Sequence, residues 1–170
     1  PTKIPKKYTR GLTRRDRKRQ VRNIRTARKN YKKKKYTNRP KLKSHKKRES
    51  GWTAKFHKRH PNAKTVPEIA RATGIPSKAL NAVKRKGMGA YYSSGSRPSQ
   101  SGHSWGIARL ASSITGGNAS KIDYHILETY CKSNSKALKL AQKPKNKQRG
   151  GKSKDKSKST DKNKKGELIF

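Results

Sequence analysis

Apolar residues in this chain recur three and four positions apart, the spacing of one buried face of an α-helix. The clearest stripe is Ile107, Leu110, Ala111 and Ile114 in SWGIARLASSIT, with Trp105 at its start and Gly116-Gly117 behind it. Ser101 or Ser104 can cap this helix, which the pattern makes the core helix. Ser120 to Asp123 then has the spacing of a capping box and opens another helix. That helix carries Ile122, Ile126 and Tyr130 on one face, with Leu127 and Cys131 beside them. Upstream, Trp52, Phe56 and His60 stand at i, i+4 and i+8 in a short helix opened by Ser50 and ended by Pro61. Helical spacing favours Trp52 and Phe56 as core over an aromatic platform for bases.

The sharpest local pattern is VPEIARATGIPSKALNAVKRKG, residues 66–87. Thr65 and Glu68 form a capping box, and Pro67 sits in the first turn, where its missing N–H costs nothing. Ile69, Ala70 and Thr73 face inward, Gly74 supplies a tight turn, and Ile75 fills the corner. Pro76 and Ser77 start a second helix with Ala79, Leu80 and Val83 inward and Gly87 at its C-terminal cap. The arrangement resembles a helix-turn-helix. In a major groove the second helix would present Ser77, Lys78, Asn81, Lys84 and Arg85. Asn81 could pair with adenine, and the basic residues with guanine or phosphate. The same pattern also describes a helical corner that only packs the domain.

Charge divides the chain. Its 170 residues are 27% hydrophobic and carry a net charge of +41. Residues 1–60 hold 26 Lys/Arg against 2 acids, residues 61–131 hold 9 against 3, and residues 132–170 hold 14 against 3. A centre at +6 therefore lies between arms of +24 and +11. The expected layout is a basic arm over 1–49, a small helical domain over 50–131 and a lysine-rich extended tail over 132–170. In the arm, Thr13 to Asp16 has capping-box spacing, with Leu12 as staple, and a helix from about 14 to 31 follows. Its apolar stripe is thin: Val21, Ile24, Ala27 and Tyr31. Thirteen basic residues lie between Arg14 and Lys35. Like charges at i, i+4 repel, so this helix is expected to be ordered by a polyanionic partner. Arg14, Arg15, Arg22, Arg25, Lys32, Lys33, Lys34 and Lys35 are the candidate contacts. Residues 36–49 read as a basic linker. Ala137, Leu138 and Leu140 prolong a helix, and from Lys143 the chain is low-complexity and polar. It closes on Leu168, Ile169 and Phe170, which read as a docking tag for another protein.

Candidate chemistry narrows the picture further. MGAYYSSGSRPSQSGH, residues 88–103, has the composition of a long ordered loop, anchored by Tyr91 and Tyr92. It lacks the Gly-Lys-Ser/Thr ending of a phosphate loop, which argues against an NTPase. Arg97 in it can grip a phosphate or carboxylate through its planar fork, or tie the loop to backbone carbonyls. Arg109 pairs with Asp123 or Glu128, or adds a phosphate contact. The eight acids are scattered, and the five histidines have no metal-ligand spacing. The single cysteine, Cys131, excludes an internal disulfide and fits a reducing compartment. No apolar run approaches 18 residues. These features predict a mainly α protein that is no enzyme and takes no cofactor, metal or small-molecule substrate. So much unpaired positive charge calls for a polyanion: nucleic acid, an anionic membrane face or an acidic protein lattice.

Tyr8-Thr9-Arg10-Gly11-Leu12, Gly74-Ile75-Pro76, Leu80 and the block Lys86-Gly87-Met88-Gly89-Ala90-Tyr91-Tyr92-Ser93-Ser94-Gly95-Ser96-Arg97-Pro98 carry a resemblance. It continues through Ser104-Trp105-Gly106-Ile107-Ala108-Arg109-Leu110-Ala111-Ser112, Gly116-Gly117 and Asp123. The chain from about Lys7 to Glu128 resembles an uncharacterised family from large double-stranded DNA viruses, including algal viruses, with relatives in tailed phages. The resemblance implies a setting in the virion and no activity. With the basic arms, it leads to an expected structural role: a minor capsid or internal virion protein inside the shell, bridging coat proteins and anionic surfaces. The alternative is a DNA-condensing nucleoid protein with a helix-turn-helix-like domain. A third class, a ribosome-like RNA-binding protein, fits the composition.

Overall fold

A computed structural model of the chain describes residues 3–46 and 50–142. A 3-10 turn, Lys6–Tyr8, precedes six α-helices: α1 (Arg14–Lys32), α2 (Gly51–Arg59), α3 (Val66–Thr73), α4 (Ser77–Ser94), α5 (Gly102–Ile114) and α6 (Asn118–Tyr130). Residues 136–142 are helical as well, and no strand occurs among the described residues. The mainly α class expected from the apolar spacing is the observed one.

α4 is the axis of the array; α5, α1, α6 and α3 all pack on it. The core joins Ala79, Leu80 and Val83 of α4 to Leu110, Ala111 and Ile114 of α5. Phe56, Ile69 and Ile126 from the other helices and Ile75 from the α3–α4 turn close it, with Trp52 packed at its edge. Fully burying a leucine such as Leu80 or Leu110 contributes about 1.5–3 kcal/mol. The α3–α4 corner forms as its residues dictate. Thr65 and Glu68 make the reciprocal capping box, and Gly74 takes the left-handed conformation at φ 69°. A smaller cluster of Tyr124, Leu127, Leu138 and Ala141 seats the 136–142 segment.

Four expectations are corrected. First, residues 88–94 are helix, not loop: α4 runs through Gly87 to Ser94, leaving only 95–101 between it and α5. Gly87, expected as a C-terminal cap, is a contact point inside the helix. A Cβ on Gly87 would stand 2.8 Å from the Gly106 Cα, so the two helices cross backbone to backbone. Second, α6 begins at Asn118 with Gly117 as its N-cap, one turn earlier than the Ser120–Asp123 spacing suggested. Ser120 donates to the Gly117 carbonyl at 2.7 Å, and Asp123 lies in the core. The buried face is therefore Ser120, Asp123, Tyr124, Ile126 and Leu127, while Ile122 is 59% exposed and Tyr130 also open. Third, residues 36–46 are tied to the body rather than a free linker, with Arg39 and Leu42 buried. Fourth, α1 is seated on α4 in the chain alone: Gln20, Ile24 and Ala27 are buried. Leu168, Ile169 and Phe170 lie outside the described residues.

Candidate polyanion interface

α1 starts where Thr13 accepts a hydrogen bond from the Asp16 N–H at 3.4 Å. Asp16 is the one acid in the helix. Its carboxylate accepts from the Ser44 hydroxyl at 2.5 Å and the Ser44 N–H at 3.0 Å. Those bonds hold its pKa below the ordinary carboxylate range. Held there ionised, it is the only carboxylate that α1 has to set against its own cations. At 100° per residue, Arg14, Lys18, Arg22, Arg25, Lys29 and Lys32 fall within about 80° of the circumference, opposite Gln20, Ile24 and Ala27. All six are exposed. Lys18, Arg22, Arg25 and Lys29 line a shallow trough with Val21 and Thr26. Their i, i+4, i+7, i+11 spacing sets four cations along roughly 16 Å of helix. Arg14 and Arg15 add charge at the N-terminal end, where the helix dipole disfavours cations. The stripe is thus costly unless an anion faces it.

Buried polar groups hold α1 in place. Gln20, fully enclosed, donates through Nε2 to the Ser96 carbonyl at 3.0 Å. Ile24 packs over Gly95, whose φ of 110° only glycine adopts readily. Arg28 donates twice to the Ser94 carbonyl, at 3.1 and 2.8 Å, so it belongs to the anchor and not to the stripe. Arg39, 7% exposed, reaches Tyr91 O at 2.5 Å, Ser96 Oγ at 3.2 Å and Asn23 Oδ1 at 3.0 Å. Its guanidinium also lies 4.6 Å from the centroid of the Tyr91 ring.

The expected contacts fall into two groups. Ser77, Lys78, Asn81 and Arg85 are exposed together on the N-terminal half of α4. Lys84 is half-buried, its stem against Gly106, and Lys78 leans over the Tyr130 ring at 5.3 Å. Arg97 is exposed at the opposite end of α4, with α1. Burial raises the Tyr8 pKa, against the charges of Arg28, Arg39 and Arg97, and lowers that of His45, aided by Arg97. From Asn81 to Gly95 is roughly 21 Å along the helix, so the two groups cannot serve one small ligand. Lys18 and Lys29 join the candidates because they line the trough with Arg22 and Arg25, and the helical spacing of the basic positions would have found them.

Two other clusters of charged side chains among the described residues are already paired. Arg109 resolves onto Asp123, through Nε at 2.9 Å and Nη2 at 2.6 Å. In the hollow lined by His60, Asn62, Glu68 and Arg71, Glu68 already accepts the Lys64 and Thr65 N–H groups, each at 2.8 Å. Among the described residues no three His, Cys, Asp or Glu side chains gather as a metal site, and no helix is long and apolar enough to cross a membrane. No curated protein and no solved structure matches the chain. A family model does match, over residues 5–130, and its description is Family of unknown function (DUF5824).

Proposed function

The chain belongs to DUF5824, a family of unknown function, and from that premise we propose that it is a structural component of a large DNA virus particle. In this reading it is a minor capsid or internal virion protein that docks its basic surface on nucleic acid, an anionic membrane face or acidic coat proteins inside the shell. The observation that carries the reading is the α1 stripe: a seated helix whose outward cations face no carboxylate of their own helix. Such an array repels itself and is neutralised by an extended polyanion. The viral setting rests on the resemblance of the 86–98 and 104–112 blocks.

Fractionation of purified particles tests it. Particles are opened gently, digested with nuclease and separated into shell and soluble fractions. Retention with the shell is expected. Absence of the protein from mature particles would sink the proposal.

A second reading, a DNA-condensing nucleoid protein, draws on the open face of Ser77, Lys78, Asn81 and Arg85 after the left-handed Gly74. Release with the digested DNA would favour it. Base reading by α4 then requires that Asn81→Ala flatten a measured sequence preference.

A further inference from the structure

α1 ends in a turn that folds the chain back on itself. The Lys35 N–H donates to Asn30 O at 2.9 Å and the Lys34 N–H to Tyr31 O at 3.0 Å, the two bonds of a Schellman motif. Lys34 takes the left-handed position at φ 58°, where glycine is usual. Asn30 Nδ2 clips the returning chain by donating to Thr37 Oγ1 at 2.9 Å. The turn brings Tyr36 back over the helix it has just left. Its ring lies 6.2 Å from Tyr31, edge-on, and 4.9 Å from Tyr92.

Tyr92 is a rigid support. A Cβ on Gly102 would come within 3.1 Å of its ring, so the ring rests against α5 backbone. Tyr92 also meets Tyr91 at 4.8 Å with the planes perpendicular. Tyr91 is wholly buried; its hydroxyl donates to Gln100 O and accepts from the Arg39 N–H, each at 2.8 Å. A ladder of rings thus runs from the core to the surface and ends on Tyr36, 67% exposed. Four consecutive exposed cations, Lys32 to Lys35, lead through the turn to that end.

We propose that Tyr36, backed by Tyr92 and flanked by Tyr31 and Lys32–Lys35, is a base-stacking site for single-stranded nucleic acid. The inference rests on the polyanion reading above and adds a strand type to it. Duplex bases are already stacked and offer an exposed tyrosine no face. An unpaired base does, and the adjacent lysines meet its phosphates. A phosphate-only surface has no use for a rigid exposed ring.

The full chain is titrated by fluorescence anisotropy with labelled 12-nucleotide oligodeoxythymidylate and oligouridylate and with a 12-base-pair duplex, at two salt concentrations. Tyr36→Ala is expected to weaken both single strands about tenfold while moving the duplex by less than about twofold, since stacking is lost and phosphate contacts are kept. Tyr36→Phe is expected to bind like the parent. Equal weakening of strand and duplex by Tyr36→Ala, or no weakening, overturns the stacking site and leaves the polyanion reading standing. Failure of the parent to bind any of the three overturns the stacking site and nucleic acid as the polyanion together. Photocrosslinking with bromouridine-substituted strands gives an independent readout without a variant. Adducts are expected on Tyr36 or Tyr31, and adducts confined to other residues count against the site.

Discussion

Arg109 and Asp123 join α5 to α6 by two parallel N–H···O bonds of 2.9 and 2.6 Å, and the carboxylate they share is wholly buried. The Ser113 hydroxyl donates to the same group at 2.6 Å, and Lys86 stands 3.3 Å from it, bringing α4 into the junction. Burial pushes the Asp123 pKa up, but the hydrogen bonds from Arg109 and Ser113 outweigh it and leave the carboxyl below its ordinary range. Asp123→Asn leaves two cations facing a neutral amide. A loss of about 3–5 kcal/mol is expected in urea unfolding at pH 7. Because the folded pKa is depressed, the ionised carboxylate stabilises fully above the unfolded value near 4 and ceases to do so as pH falls through the folded one. Parent and variant stabilities should therefore converge at acid pH, and a gap unchanged down to pH 2 would contradict this assignment.

Gly87 and Gly89 lie two residues apart in α4 and should respond oppositely to alanine. At Gly87 the added methyl meets the Gly106 backbone at 2.8 Å, and neither helix can yield without separating. Overpacking of about 1–3 kcal/mol exceeds the gain in helix propensity of just under 1 kcal/mol, so Gly87→Ala lowers the melting temperature. At Gly89 the methyl meets only the Tyr31 hydroxyl, at 3.5 Å. There propensity prevails, and Gly89→Ala raises stability by about 0.5–1 kcal/mol. Thermal melts of the two variants side by side provide the check.

Lys34→Gly separates stability from binding. Glycine relieves a left-handed lysine at φ 58°, a gain of about 1 kcal/mol. It also removes one cation beside Tyr36. The variant should melt higher than the parent while binding single strands more weakly and with a shallower salt dependence, by up to about one unit of slope. A lower melting point would mean that the lysine side chain itself stabilises the turn.

Replacing Lys18, Arg22, Arg25 and Lys29 by glutamine tests the stripe as a unit. Each cation that meets a duplex phosphate contributes roughly 0.9 to the slope of log K against log salt, so a loss of roughly 3 to 4 is expected. Stability should hold or rise, since the four exposed side chains repel one another. A slope unchanged within one unit would place duplex contact elsewhere, with Ser77, Lys78, Asn81 and Arg85 the next face to remove.

Local rules were legible where one residue type permits one role. Thr65 with Glu68, Gly74 in the turn, Ile75 at the corner and Phe56 in the core all follow from spacing and appear as expected. The pairing of Arg109 with Asp123 was one of three readings and is the observed one. What could not be read was tertiary. Gly89 signals loop by composition and Gly87 a helix end, yet both lie within α4, and at Gly87 and Gly106 the missing side chains are what let α4 and α5 touch. Ile122 looks like core until Asp123 turns the helix to reach Arg109. Arg39 is one basic residue among many in a lysine-rich stretch, and nothing local marks it as the one that goes inside. Tyr36 is conspicuous only once the Lys34 turn has set it against Tyr92.

The anchoring of α1 through Gln20, Ile24 and Arg39 has a thermodynamic corollary. A basic arm that folds on its target buries new apolar surface and orders its backbone at that moment, leaving a large negative heat-capacity change. A helix already bolted to its body does neither. If it docks on a polyanion as proposed, the event is a matter of displaced counterions, with a small heat-capacity change and no wait for helix nucleation. On the proposed reading, the protein would attach, slide and re-attach along an anionic surface as a finished part.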